Sequence, residues 1–392
     1  MRLSGVAMPV NLVWSSPFCR WQGPLAEMSS VDLAVDVTAR ALTRGGMSTS
    51  EISQVAFGTT VPQPASFYGV TTITPRLGLY TVTGPTIAQA CATSVAVVQA
   101  AAVQVELGAH RTVLALAADR TSNGPLLVWS AQHSPGAAPR TEHWVLDPMR
   151  HDPNTGQSML DTAEHVAAEE GYSRAEIDDV TLLRHEQYRS SAAQRPGHLV
   201  QVHVPGRRGS VVVDDDHGVH DTTAEGLAAL SPVRPDGVVT YGSQTHPGDG
   251  TAGAVLSTVD RARELSGGAG VARLLAVGFA RTDRARMPRA PLPAARAALT
   301  HAGLDITGID VVTTHNPFAV NDLYFARQTG FALDRMNPYG CSLVYGHPQG
   351  PTGLRALAEL VAALHDRGGG RGLFTGCAAG DTAGAVVVEV TD

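Results

Sequence analysis

An α/β fold duplicated within one chain is what this sequence predicts, and three observations carry the prediction. Short apolar runs rich in β-branched residues alternate with longer segments of helical period. A stretch near the N-terminus also returns near the C-terminus. Ala41-Leu42-Thr43, Gly46-Met47, Ile52 and Val55 reappear, each 257 positions later, as Ala298-Leu299-Thr300, Gly303-Leu304, Ile309 and Val312. Between the two copies, from about residue 119 to 250, the pattern turns polar and loop-rich, as in an insertion.

Each element has its own local warrant. Strands are read at 54–58, 112–118, 274–279, 310–314, 372–377 and 385–390, where β-branched and small apolar residues run together. The segments 31–42 and 293–301 have amphipathic helical spacing, whereas 94–107 is apolar nearly all round and must lie between layers. A further helix spans 354–364. In both copies of the repeat a glycine, Gly46 or Gly303, follows the helix where a left-handed cap is needed. A second, looser match sets 94–118 against 353–377. Within the insertion, Ser173-Arg174-Ala175-Glu176 reads as a capping box. Gly368-Gly369-Gly370 reads as a turn before a strand; it opens no helix and lacks the lysine of a phosphate-binding loop. The domains expected are an N-terminal half over 1–118, to which 251–269 returns, a loop domain over 119–250 covering the site, and a C-terminal half over 270–392.

Composition narrows the function. A chain of 392 residues with 43% hydrophobic and 17% charged residues has apolar surface for a large core. Its net charge of -7 disfavours nucleic acid as a partner. Every one of the 29 basic residues is arginine, which excludes Schiff-base, lysine-base and P-loop-lysine mechanisms. The cysteines Cys19, Cys91, Cys341 and Cys377 form no CxxC pair and no Cys/His ladder, so neither a metal site nor a disulfide framework is expected. The first residues lack a continuous apolar run and no segment approaches the ~18 apolar residues of a membrane span. A cytoplasmic protein with reduced thiols follows as the expectation.

Three segments could carry chemistry. Cys91, in Gln89-Ala90-Cys91-Ala92-Thr93-Ser94, stands at the start of the buried helix, where free N–H groups and positive potential lower a thiol pKa and offer an oxyanion site. A plain buried cysteine fits that position equally well. His347 stands in Gly346-His347-Pro348-Gln349-Gly350-Pro351-Thr352-Gly353, a rigid turn ahead of a helix, which fixes an imidazole instead of leaving it solvated. Cys377-Ala378-Ala379-Gly380 ends a strand, and strand C-termini in α/β sheets face the ligand crevice.

Taken in order, these segments resemble the thiolase family along nearly the whole chain. The likeness begins with Ser16-Pro17-Phe18 and Gly23-Pro24-Leu25-Ala26 and continues through Cys91-Ala92-Thr93-Ser94 and Arg120-Thr121-Ser122-Asn123-Gly124-Pro125. In the insertion it runs through Met159-Leu160-Asp161-Thr162-Ala163-Glu164 and the stretch from Val204 through Arg207 and Arg208 to Val213, then reaches Asp249-Gly250-Thr251-Ala252. The Gly-His-Pro-x-Gly-x-Thr-Gly motif followed by Cys377 is its most specific part.

The resemblance implies two βαβαβαββ halves in a five-layer αβαβα sandwich. It also implies a non-decarboxylative Claisen condensation of two acyl thioesters, or the reverse thiolysis. In that reading Cys91 is the nucleophile, His347 its base, and Cys377 the base for the α-proton. His315, Asn316, Ala379 and Gly380 support the oxyanions; Met159, Thr245, Phe318 and Gly346 contact substrate. No permanently bound cofactor is implied. The substrate is a coenzyme A thioester or an acyl-carrier-protein thioester, and the assembly is a homodimer or a dimer of dimers.

Four departures stand out from the family pattern. His315-Asn316-Pro317-Phe318 lacks the family's acidic second residue. Ile87-Ala88-Gln89-Ala90 precedes the nucleophile in place of asparagine and a basic residue. Ala379 replaces a glycine, and Val219 stands where some members carry an arginine for the nucleotide. Two rival readings therefore accompany the main one: a degradative 3-ketoacyl-CoA thiolase, and a catalytically weakened homologue that binds acyl thioesters or a partner.

Overall fold

The computed structural model describes residues 1–131, 136–206 and 209–391. Arg207 and Arg208, quoted above for the insertion, lie outside them. In chain order the main elements are β1 (Val6–Pro9), α1 (Ser30–Arg44), β2 (Gln54–Gly58), α2 (Thr93–Glu106) and β3 (Thr112–Arg120). The insertion contributes α3 (Met159–Glu170) and α4 (Arg174–Ser190). Then follow β4 (Gly248–Thr258), β5 (Val271–Arg281), α5 (Pro291–Ala302), β6 (Val311–His315), α6 (Ala319–Thr329), α7 (Thr352–Asp366), β7 (Gly370–Ala378) and β8 (Thr382–Thr391).

Hydrogen bonds join the strands into one sheet in the order β6-β7-β8-β5-β1-β4-β3-β2. The two ends of that order mirror each other. β2 runs parallel to β3 and β6 to β7. β3 is antiparallel to β4, and β7 to β8; β4 is antiparallel to β1, and β8 to β5. The β1–β5 pairing joins the halves. The repeat read in the sequence is thus a repeat of topology.

Layering follows from side-chain period. All nine residues of β3 are buried. Its Val113, Ala115 and Ala117 face one core and its Leu114, Leu116 and Ala118 another, as alternation across a doubly covered strand requires. The inner core is filled by Val97 and Val98 of α2 with Leu357 and Leu360 of α7, packed between β3 and Phe374 and Val386 of the other half. Outside, α1 places Leu33 and Val37 on the N-terminal strands, and α5 places Ala294 and Ala298 on the C-terminal ones. The order is helix, sheet, helices, sheet, helix. Gly46 and Gly303 close the two equivalent helices at φ of 70° and 71°, with open space where a Cβ would stand, so each answers to backbone conformation alone.

Of these eight strands, β1 was not anticipated, nor was β4 as a strand of eleven residues. β4 reads Gly-Asp-Gly-Thr-Ala-Gly-Ala, a composition with little strand propensity. Small residues are what its crowding demands, since a Cβ at Gly250 or Gly253 would stand 2.3 Å from the Phe18 ring or 2.7 Å from that of Trp14. In the insertion both helices open with full capping boxes, Ser158 with Asp161 and Ser173 with Glu176. Two buried ion pairs tie the insertion down. Arg184 Nε of α4 meets Asp322 of α6 at 2.8 Å, and Asp216 takes both terminal nitrogens of Arg355 in α7 at 2.5 and 2.7 Å.

Candidate active site

The two inner helices begin side by side, and their first turns build the site. Cys91 lies two residues before α2. Ala90 ahead of it holds φ of 45°, a conformation that swings the thiol out of the helix line. Thr93 closes this turn by accepting from the Gln89 N–H and donating to the Ala90 carbonyl, both at 2.7 Å. The equivalent loop before α7 carries His347. Gly346 ahead of it holds φ of 90°, and a Cβ there would stand 2.5 Å from the His246 ring. The loops are joined directly, the Ser94 hydroxyl donating to the Gly350 carbonyl at 2.5 Å.

Asp119, at the end of β3 and fully buried, organises the same loops. Its carboxylate accepts from the N–H groups of Thr60, Val61 and Gly350 at 2.8, 3.0 and 2.9 Å, and from the Thr59 and Thr60 hydroxyls. Burial pushes its pKa up to about 6 against those bonds. Reading the sequence did not single out Asp119. The one available signal was its position at the strand end equivalent to that carrying Cys377.

The candidate thiol and imidazole meet across a short gap. His347 Nε2 lies 3.1 Å from Cys91 Sγ, and its Nδ1 lies 2.7 Å from the Thr352 hydroxyl. With Nδ1–H donated to Thr352, Nε2 offers its lone pair to the thiol. The rings of His315 and His347 stack at 4.0 Å and 24°. Nδ1 of His315 is 2.9 Å from the Ser342 hydroxyl, while its buried Nε2 has no partner among the described residues. Backbone N–H groups of Ala379 and of Cys91 itself are directed at the Cys91 sulfur. Cys377, at the end of β7, is buried and accepts from the Asn321 amide at 3.3 Å.

Electrostatics sets the resting state. Desolvation raises the Cys91 thiol to about 11. It raises Cys377 well above the usual thiol range, with the nearby Cys91 sulfur adding to the effect. Desolvation lowers His315 to about 3 and His347 well below 6.5. The site therefore rests as two neutral thiols and two neutral imidazoles. Cys91, His315 and His347 have ligating atoms within 4.8 Å of one another.

All of this opens on a cavity of about 350 Å³. Among the residues singled out from sequence, Cys91, His347, Cys377, His315, Ala379, Met159, Thr245 and Phe318 line it. Asn316, Gly380 and Gly346 do not. The Asn316 amide turns back to donate to Asp322 at 2.7 Å, Gly380 sits in the β7–β8 turn at φ of 81°, and Gly346 abuts His246. Reading the sequence missed Asn321 and the cavity wall Met287, and gave Thr352 no role beyond its place in the motif. Cys19 and Cys341 are buried away from the cavity.

Two family models cover almost the chain. One described as thiolase, N-terminal domain, matches residues 14–260, and one described as thiolase, C-terminal domain, matches 269–390. The chain is 30% identical to an acetyl-CoA acetyltransferase of Chromobacterium violaceum over 380 residues, covering 94% of this chain and 95% of that one. It is 30% identical to the beta-ketothiolase BktB of Cupriavidus necator over 388 residues, at the same coverage. Among solved structures, the acetyl-CoA acetyltransferase of Bacillus anthracis superposes with a TM-score of 0.92 at 27% identity, covering 99% of both chains.

Proposed function

The chain belongs to the thiolase family of acyltransferases, and on that footing we propose that it joins two acyl thioesters without decarboxylation, through an acyl group carried on Cys91. One observation carries the reading: two thiols from distant parts of the chain and an imidazole 3.1 Å from one of them face a single cavity.

The proposed steps balance. Cys91 Sγ bonds to the acyl carbon as its proton passes to His347 Nε2, and the N–H groups of Cys91 and Ala379 take up the oxyanion charge. The C–S bond to the carrier breaks, and the departing thiolate takes the proton of Cys377. The site then holds an acyl-cysteine, an imidazolium and the Cys377 thiolate. Cys377 removes the α-proton of the second acyl thioester, whose electron pair moves onto the enolate oxygen near His315 and His347. The enolate carbon bonds to the acyl carbon, Cys91 leaves with its electron pair, and the imidazolium returns its proton. Thiols and imidazoles end as they began. Run backwards, the same steps cleave a β-ketoacyl thioester.

Coenzyme A thioesters are the proposed substrates, in line with the names of the relatives. No cofactor is held permanently. The apolar side chains of Met159, Met287 and Phe318 support an acyl pocket. Val219 sits in an apolar cluster with Phe18, Tyr188, Val344 and Tyr345 and brings no cation to a nucleotide, which supports an acyl-carrier-protein thioester as the second candidate. A homodimer is proposed as well. It is supported by the exposed aromatic side chains Phe67, Tyr68 and Tyr80, exposed to 94%, 73% and 82%. The four unpaired thiols support a reducing, cytoplasmic setting.

The test is thiolysis of acetoacetyl-CoA and of its carrier-protein counterpart, with intact-protein mass spectrometry to trap the acyl-enzyme. Cys91→Ala should abolish the adduct. An adduct that persists in that variant overturns the assignment.

A further inference from the structure

We propose that Asn321 is the positioning residue that holds Cys377 as a thiolate for removal of the α-proton. The inference rests on the reading of Cys377 as that base.

Cys377 is the least favourable place in the site for negative charge. It is 1% exposed, and burial, the neighbouring Cys91 sulfur and, more weakly, the Asp322 carboxylate all act against its ionisation. Among the described residues, the side chain that donates to its sulfur is Asn321, through Nδ2 at 3.3 Å. Asn321 is itself 2% exposed and its Oδ1 has no partner. The buried amide leaves its Oδ1 unsatisfied while its Nδ2 donates to the sulfur, so its hydrogen-bonding capacity is directed at Cys377 and not spent on the core.

The amide is also held in place. Asn321 lies in the first turn of α6, and its own N–H bonds to the Phe318 carbonyl at 3.0 Å. Its neighbour Asp322, fully buried, accepts from the Thr314 hydroxyl, the Asn316 amide and Arg184 at 2.7, 2.7 and 2.8 Å. With that carboxylate clamped from three sides, the first turn cannot slide away from Cys377.

The sign of the effect separates this role from its opposite. If Nδ2 donates to the sulfur, the bond is strongest in the thiolate, and removing it makes ionisation harder. If instead the thiol donated to Oδ1, removing the amide would make ionisation easier.

The experiment uses the full-length enzyme with Cys91 first acetylated by acetyl-CoA. Two readouts are taken on wild type, Asn321→Leu and Asn321→Ala. One is the pH dependence of Cys377 alkylation by iodoacetamide, followed on the Cys377 peptide. The other is exchange of the acetyl-CoA methyl protons in heavy water. For both variants the alkylation curve should move to higher pH by about one unit, with exchange about tenfold slower at fixed pH, since one unit is a tenfold change in thiolate. Alkylation of Cys91 by iodoacetamide in the unacetylated enzyme, a step in which Cys377 takes no part, should stay within about twofold.

The proposal is overturned if the curve stays in place or moves to lower pH in whichever variant folds, or if Cys91 alkylation in the unacetylated enzyme falls as far as exchange does. Exchange that survives in Cys377→Ala would instead overturn the base assignment itself, whatever Asn321 does.

Discussion

At the scale of single residues, the site is neutral where many cysteine enzymes are charged. Burial raises the Cys91 thiol to about 11 and lowers His347 below its usual range, so a preformed thiolate–imidazolium pair is not the resting state. In the proposed mechanism, proton transfer must therefore accompany attack on the substrate. This has a direct consequence for pH dependence. Below about 11 the Cys91 thiolate fraction grows tenfold for each unit of pH, so alkylation of Cys91 in the free enzyme should climb steadily across neutral and alkaline pH. A plateau below about pH 8 would show an ion pair and contradict the neutral assignment. Cys91, His347 and Cys377 could be singled out in sequence because each stands in a short motif with local backbone logic, and folding brings all three to one cavity. Asp119 and Asn321 were not. Each is one of many acidic or amide residues in the chain until folding buries it against a loop or a sulfur.

At the scale of elements, the two inner helices make the site by starting at the same point. Their contact leaves no slack: a Cβ on Gly353 of α7 would stand 2.8 Å from the Ser94 Cβ of α2, and one on Gly384 of β8 would stand 2.9 Å from the Val95 Cβ. Gly384→Val should therefore act as a wedge under the first turn of α2, costing about 1–3 kcal/mol of stability and moving Cys91 off its line to His347. Thermal unfolding checks the first effect. Loss of acyl-enzyme formation at temperatures where the variant stays folded checks the second, and an unchanged acylation rate would refute the wedge. Helices with a clear stripe, such as α1, were read nearly to their ends. β4 was passed over because its glycines, alanines and threonines are chosen for crowding, which a local propensity scale cannot see.

At the scale of the whole molecule, the insertion and the two halves are tied by buried charge. Asp216 of the insertion takes a bidentate bond from Arg355 in α7, where both side chains are fully buried, and also accepts from the Phe18 N–H at 2.7 Å. Arg355 meets Glu359 at 3.0 Å and stacks over Tyr345 at 3.5 Å. Removing Asp216 leaves the buried Arg355 cation with Glu359 alone, a carboxyl that burial itself raises to about 7. Asp216→Ala should therefore cost about 3–5 kcal/mol, whereas replacing the pair together by apolar residues of similar volume should cost much less. Calorimetric unfolding of the single and double variants distinguishes them, and a single variant as stable as wild type would remove the network from any account of stability.

The sequence by itself determined a duplicated α/β chain, three candidate segments for the chemistry, and the exclusion of lysine-based mechanisms. Those properties live in local periodicity, in glycine and proline constraints and in composition, and they need no knowledge of distance. Only the tertiary structure decided that the loops before α2 and α7 abut and that Asn316 turns away from the cavity while His315 faces it. It alone decided that the thiols and imidazoles are neutral and that Asn321 meets Cys377. Contacts between residues more than 50 positions apart are set by strand order and layer packing, and pKa values by the burial that packing imposes, so neither is written in the neighbourhood of any one residue.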